Sequence, residues 1–204
     1  MSPMPRVIDI GCGTNKTAGA IGMDINPRTA ADVIYDLNHR PYPFADDWFD
    51  EIICRHVIER VRDPLAVMSE LHRITRHGGV IKIVAPHWTN PDFATDPRRR
   101  KHLNSYSFNN LIEGREVFTF YSDARFRQRR VYVTVLNLWK RFGLEFLINL
   151  DNRFPRMRFL RKFWEQYLNG IVRGKEIQFE LEVVKAADGI DHRFLRRDQL
   201  DKKI

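Results

Sequence analysis

Three carboxylates and a pair of glycines dominate the start of this chain. Asp9 lies in the apolar run Val7–Ile10, which ends in Gly11-Cys12-Gly13; Asp24 closes a second run, Ala20–Met23, and Asp36 a third. Acids at the ends of successive parallel strands converge on the carboxyl edge of a sheet, where open α/β folds bind ligands. Glycines after the first strand often cradle a pyrophosphate, but here the spacing argues against a dinucleotide. The ribose acid of that fingerprint stands roughly 20 residues beyond the first glycine, whereas only residues 12 to 23 separate Gly11 from Asp24. Lys16 occupies the third glycine position, and residues 14 to 19 leave room for a turn or two rather than a full helix. Three carboxylates would repel a phosphate, yet they accept hydrogen bonds from an ammonium, a ribose diol and an amino-purine. A cationic, adenosine-bearing amino acid, S-adenosylmethionine, fits that inventory. A buried Asp9 without such a partner would be expensive to maintain.

Transfer of a methyl group from a sulfonium asks little chemistry of a protein, because in-line positioning of the acceptor supplies most of the rate. A base is needed only when the acceptor is a hydroxyl or a protonated amine, and histidine suits that task near neutral pH. Of the seven histidines, His56 follows the fourth apolar run, His87 the fifth, and His102 lies in "DPRRRKHLNSYSF". These three are the candidate bases; the ordinary alternative for each is a structural or substrate-contacting role. Cys12 and Cys54 lack metal-ligand spacing, so no metal is expected.

The elements that must position these groups alternate. Strands are predicted over 6–10, 20–24, 32–35, 49–54 and 80–85, as short apolar runs suited to buried parallel strands. A helix is expected between the last two, with Asp63 as N-cap, Pro64 at its first position, an apolar stripe through Leu65, Met68, Leu71 and Ile74, and a stop at His77-Gly78-Gly79. In the second half, 129–136 and 176–184 read as strands, with Ile177, Phe179, Leu181 and Val183 alternating with polar residues. About forty residues between them read as helix, broken near Asn152–Pro155. The whole, 1–204, is expected to form one α/β domain.

"VIDIGCG", "GMDIN", "YDLNHRPYPFADDWFDEIICRHVIERV" and "ELHRITRHGGVIKIVAPH" occur in that order. Together they resemble the successive motifs of small class I S-adenosylmethionine-dependent methyltransferases, of the kind found near cell-surface polysaccharide genes. The resemblance covers roughly residues 6 to 87 and, more loosely, "FELEVVK". It implies a Rossmann-like fold with a seven-stranded, mostly parallel sheet and an antiparallel last strand; the short loop after Gly13 departs from the family and predicts a shortened first helix, and the residues of 137–175 a helical insertion. It also implies roles. Asp9 and the backbone of Gly11, Cys12 and Gly13 would hold the methionine end, and Asp24 the ribose hydroxyls. Ile25 would face the adenine, Asp36 and Leu37 would border it, and His56 would lie beside the sulfonium. The family often has histidine where this chain has Arg60, so no catalytic role passes to that position.

Charge is placed unevenly. Residues 98 to 175 carry 18 Lys and Arg against 6 Asp and Glu, whereas residues 1 to 97 carry 10 against 13. The segment 87–125 should emerge from the fifth strand on the cofactor side and form the acceptor wall. Its cluster Arg98-Arg99-Arg100-Lys101 favours an anionic or saccharide acceptor. A nucleic-acid acceptor, with Trp88, Phe93, Tyr106 and Phe108 stacking on bases, is the weaker alternative; a catalytically silent scaffold is another. Residues 152–175 combine Phe159, Phe163, Trp164, Tyr167 and Ile171 with several Arg and Lys, a pattern that suits a peripheral membrane contact. The preferred alternative packs that stripe on the sheet or on a second copy, giving a homodimer. The cysteine usage and the N-terminal "MSPMPR", without an apolar core, suggest a cytoplasmic protein, with the inner membrane face as the site of any peripheral contact.

Overall fold

The computed structural model describes residues 5–115 and 122–185; residues 116–121 of the expected acceptor wall lie outside that range. Seven strands form one sheet: β1 (Val7–Ile10), β2 (Ile21–Asp24), β3 (Val33–Ile34), β4 (Phe49–Arg55), β5 (Thr75–Pro86), β6 (Arg125–Val135) and β7 (Gly174–Val184). Their order is β3-β2-β1-β4-β5-β7-β6. Strands β3, β2, β1, β4 and β5 pair in parallel, while β7 runs antiparallel to both β5 and β6. The α/β class and the antiparallel last strand therefore follow the sequence expectation. Ile8, Ile10, Ile52, Ile81 and Ile83 are fully buried in one core cluster with Phe49, Phe126 and Phe179.

Helix α1 (Pro64–Ile74) starts as its sequence dictates: Asp63 accepts a hydrogen bond from the Ala66 N–H at 3.1 Å, and Val67, Met68, Leu71 and Ile74 face the core. Its end differs from expectation. Thr75, not Gly78, terminates it, because the Thr75 side chain bonds back to the Leu71 carbonyl at 2.7 Å while its backbone turns extended. Thr75 then pairs with Phe49, so β5 begins before the two glycines. Between β1 and β2 the chain forms turns only, and the first helix of the expected fold is missing.

β6 is an edge strand, and its outer backbone is covered in an uncommon way. Helices α2 (Asn137–Arg141), α3 (Leu144–Ile148) and α4 (Arg158–Phe163), the last continuing as a π-helical turn over Trp164–Leu168, form the insertion. Asn149 accepts from the Val133 N–H at 2.7 Å and donates to the Val133 carbonyl at 2.7 Å, in the manner of a neighbouring strand. Glu145 accepts from the Val135 N–H at 3.2 Å, and Arg161 donates to the Val131 carbonyl at 2.5 Å. Side chains thus satisfy the edge groups that would otherwise invite pairing with another chain. The expected packing of the insertion stripe on the sheet is only partly realised. Trp164 and Val172 are buried, with the indole N–H donating to the Val172 carbonyl at 2.8 Å, but Phe159, Phe163, Tyr167 and Ile171 are exposed.

Candidate functional site

The carboxyl ends of β1, β2, β3 and β4 gather the predicted acids. At the end of β1, Gly11 has φ +62°, and a Cβ there would lie 2.1 Å from Val57 Cγ2, so no other residue fits. Gly13 also has positive φ, with nothing within 4 Å of the Cβ it lacks, so its surface is open. The amide groups of this loop are not free donors. Gly11 and Cys12 donate to the Met23 carbonyl at 2.7 and 3.4 Å, and Gly13 donates to Asp24 Oδ2 at 3.0 Å. β2 already uses these N–H groups, so the loop's open surface is what its backbone presents to a ligand. What the loop offers is close approach. Burial, reinforced by Asp24 and Asp9, pushes the Cys12 thiol up, which leaves it a small apolar filler.

Asp24 also accepts from the Asn26 N–H at 2.9 Å, and Ile25 beside it is 61% exposed at the sheet edge. Asp36 lies just past β3 and closes its own turn, accepting from the Asn38 N–H at 2.9 Å and the Asn38 side chain at 2.8 Å. These bonds, that from the backbone first, hold its carboxyl below the usual range. Leu37 next to it is packed against the core.

Asp9 is almost wholly buried, and its two oxygens differ. Oδ2 accepts from the Thr17 N–H at 2.8 Å, the Thr17 hydroxyl at 2.7 Å and the Arg55 guanidinium at 2.6 Å, while Oδ1 has no partner. Arg55 ends β4 and donates as well to the Asn15 carbonyl at 3.1 Å. In the sequence Arg55 is marked only as a lone cation closing the apolar run "IIC".

The following turn carries His56, a non-glycine residue at φ +55°, the strained class of backbone that concentrates at functional sites. Its N–H donates to the Val84 carbonyl at 2.7 Å. Its Nε2 lies 3.3 Å from Glu176 Oε1, a contact that, more than any other, holds the Glu176 carboxyl below its usual range. Nδ1 has no partner. One turn on, Glu59 is 0% exposed and neither carboxylate oxygen has a hydrogen-bond partner. Its nearest cation is Arg60, whose Nε is 3.8 Å away and whose guanidinium pairs with Asp96 at 3.0 Å. Burial pushes the Glu59 carboxyl up. The Glu59 carbonyl accepts from the Arg100 and Lys101 N–H groups at 2.7 and 3.0 Å, which draws the basic segment over the end of β4. Glu59 carries no local signal, standing in "HVIERV" between Ile58 and Arg60.

Other predicted residues sit elsewhere. His87 is not on an open rim: it is 0% exposed, with Nδ1 2.8 Å from the Thr89 hydroxyl, Nε2 3.4 Å from Glu165 and its ring against Trp164. Gly174 packs so close to that ring that a Cβ would come within 2.6 Å of it. Burial alone would raise Glu165, but the bonds from His87 and Ser105 outweigh it and hold the carboxyl low. His87 thus pins the insertion to β5 and β7 and is no acceptor-facing base. His102 is exposed and stacks on Phe93 at 4.3 Å between ring centres. Phe93 and Phe108 are buried and unavailable to stack on bases, which removes half of the nucleic-acid argument. Of the four clustered cations, Arg98 pairs with Asp96 at 3.0 Å and Arg99 donates to the Asp92 carbonyl at 2.6 Å.

Residues 2–145 match the model of a family described as a methyltransferase domain. Among solved structures the chain is similar to a SAM-dependent methyltransferase from Archaeoglobus fulgidus, at 18% identity over 87% of this chain and 86% of that one, with a TM-score of 0.53. It is similar to an S-adenosylmethionine-dependent methyltransferase from Mesorhizobium loti, at 12% identity over 87% and 90% of the two chains, TM-score 0.54. A third is phosphoethanolamine N-methyltransferase 2 of Haemonchus contortus, solved with S-adenosyl-L-methionine, at 16% identity over 90% of this chain and 50% of that one, TM-score 0.52. These likenesses are likenesses of fold. No curated protein sequence matches the chain.

Proposed function

The chain belongs to the methyltransferase-domain family, and we propose that it is an S-adenosylmethionine-dependent methyltransferase that methylates a small anionic or saccharide acceptor. The donor set suits the cofactor. Asp9 keeps one buried oxygen without a partner, an acceptor for an ammonium, and Arg55 beside it is a match for a carboxylate. Asp24 would take the ribose hydroxyls, Ile25 and Leu37 the adenine faces, and Asp36 the adenine edge. When bound, the cofactor supplies a methyl group on a positively charged sulfur, an electrophile that needs no further activation.

On the acceptor side, His56 takes the proton that a hydroxyl or ammonium sheds. Glu176 Oε1, 3.3 Å from Nε2, holds the imidazole in place at the end of β4. The observation that carries the acceptor class is the group of buried polar atoms without partners at the end of β4: both Glu59 oxygens, Arg60 Nε and Arg99 Nε. A carboxylate without hydrogen bonds, beside two guanidinium groups whose Nε atoms alone lack them, suits a ligand that brings both hydroxyls and negative charge, because unpaired buried polar groups are costly. The test is transfer of labelled methyl from S-adenosylmethionine to a panel of uronic-acid oligosaccharides, neutral oligosaccharides, small phosphate esters and RNA. Label on the anionic saccharides or esters is expected, with transfer strongly reduced in His56→Ala. Label on RNA alone, or on none of the panel, overturns this reading.

A further inference from the structure

The insertion carries a surface that the transfer of a methyl group does not need. Along α4 and its continuation, Phe159, Phe163 and Tyr167 recur at four-residue spacing, 59%, 51% and 69% exposed, and Phe163 and Tyr167 lie side by side with ring centres 5.2 Å apart. Ile171 extends the row, and Phe142, Phe146 and Phe154 on the neighbouring elements are exposed as well. Monomeric soluble proteins seldom leave so much apolar surface bare, and patches of this kind mark interaction sites.

The charges around the patch identify what it meets. Among the described residues of 137–175, every Lys and Arg except Arg161 is exposed. The acids of the same segment are turned inward: the side chains of Glu145, Asp151 and Glu165 are 9%, 7% and 2% exposed. The face is therefore apolar and cationic, with no exposed carboxylate. A second copy of the chain would bring the same cations against themselves across a two-fold axis, a repulsion that such an interface must avoid. Bases would stack on the aromatic rings but gain little from the exposed aliphatic Leu138, Leu147 and Ile171. Hydrocarbon beneath a layer of anionic headgroups satisfies all of these groups at once. No helix of the described residues is long and apolar enough to cross a membrane, so the fitting mode is to lie on one.

We infer that α2, α3 and α4 form a docking face for the surface of an anionic lipid bilayer, with Phe159, Phe163 and Tyr167 inserted at the headgroup boundary and Arg156, Arg158 and Lys162 against the headgroups. The experiment is co-sedimentation of the full chain with vesicles of phosphatidylcholine alone and of phosphatidylcholine with phosphatidylglycerol, at low and high salt. Binding at least about tenfold tighter to the anionic vesicles, weakened by salt, is expected. The triple variant Phe159→Ser, Phe163→Ser, Tyr167→Ser should lose about tenfold or more with an unchanged circular-dichroism spectrum. If that variant does not fold, Arg156→Gln, Arg158→Gln, Lys162→Gln should show the same loss. The inference is overturned if the wild-type chain stays in the supernatant with anionic vesicles at low salt. It is equally overturned if the protein is a dimer that the aromatic variant renders monomeric, or if RNA is held more tightly than vesicles through the same aromatic residues.

Discussion

The Arg55 guanidinium, at the end of β4, lies 2.6 Å from the buried Asp9 carboxylate on β1. Doubly wound folds present the N-terminus of a full helix at this edge of the sheet, where its amides and dipole meet an anionic ligand group. Here that helix is replaced by turns, with the Gly11, Cys12 and Gly13 amides engaged with β2 and the Thr17 amide with Asp9. A cation reaching across from β4 supplies the positive charge instead, and Asp9, held by Thr17 and Arg55, keeps it in place.

Arg55→Ala should weaken S-adenosylhomocysteine binding by about tenfold, roughly 1.4 kcal/mol, because the ligand's carboxylate loses its charged partner. Stability should fall by only about 1 kcal/mol, since Arg55 is 42% exposed and Thr17 continues to satisfy Asp9. Isothermal titration and thermal melting separate the two effects. A large loss of stability with unchanged affinity would assign Arg55 a structural role only.

Glu59 gives a pH-dependent prediction. Burial raises its folded pKa above that of the unfolded chain, so the folded state holds the proton more tightly. Its contribution to stability is most favourable below the ordinary glutamate range, near 4.3. That contribution is lost as pH rises from there through the folded value. Glu59→Gln should therefore melt higher than wild type at pH 7 and above, by about 1 kcal/mol or roughly 2–4 °C for a chain of this size. The difference should vanish near pH 4. Methyl transfer should fall in the same variant, a trade of stability against function. A variant no more stable at pH 8 than at pH 4, relative to wild type, contradicts this.

Asn149 closes the edge of β6 with two hydrogen bonds to Val133 and a third to the Glu145 carbonyl. Asn149→Leu keeps the volume but strands the Val133 N–H and carbonyl in a buried setting. A loss of about 2–3 kcal/mol is expected, on the order of 5–10 °C by calorimetry. Self-association at high concentration should increase as the edge opens.

Much of this architecture can be read from the residues alone, and the reasons are physical. Buried parallel strands are continuous apolar runs, so β1, β2, β4 and β5 announce themselves, and the acids at their ends come with them. β7 is legible from alternation, because one of its faces is wet. Arg55 and Glu59 are not legible, since a single charge in an apolar run looks like any strand-end or turn charge until a partner, or the lack of one, is seen in space. The burial of His87 depends on Glu165, 78 residues away in the chain, and no local pattern predicts it. The four-residue spacing of Phe159, Phe163 and Tyr167 shows that they share a face but not that the face turns away from the sheet.

Isothermal titration with S-adenosylhomocysteine on the wild-type chain and on Asp24→Ala examines the cradle itself. Asp24 sits where β1 and β2 meet, joined to the Gly13 N–H at 3.0 Å, and is assigned the ribose hydroxyls, each such charge-assisted bond contributing roughly 1.5–3 kcal/mol. Saturable one-to-one binding by wild type is expected, with affinity lower by about tenfold or more in Asp24→Ala and an unchanged circular-dichroism spectrum. Equal affinity in a folded Asp24→Ala variant, or no binding by wild type, would contradict a cofactor site at the ends of β1 and β2.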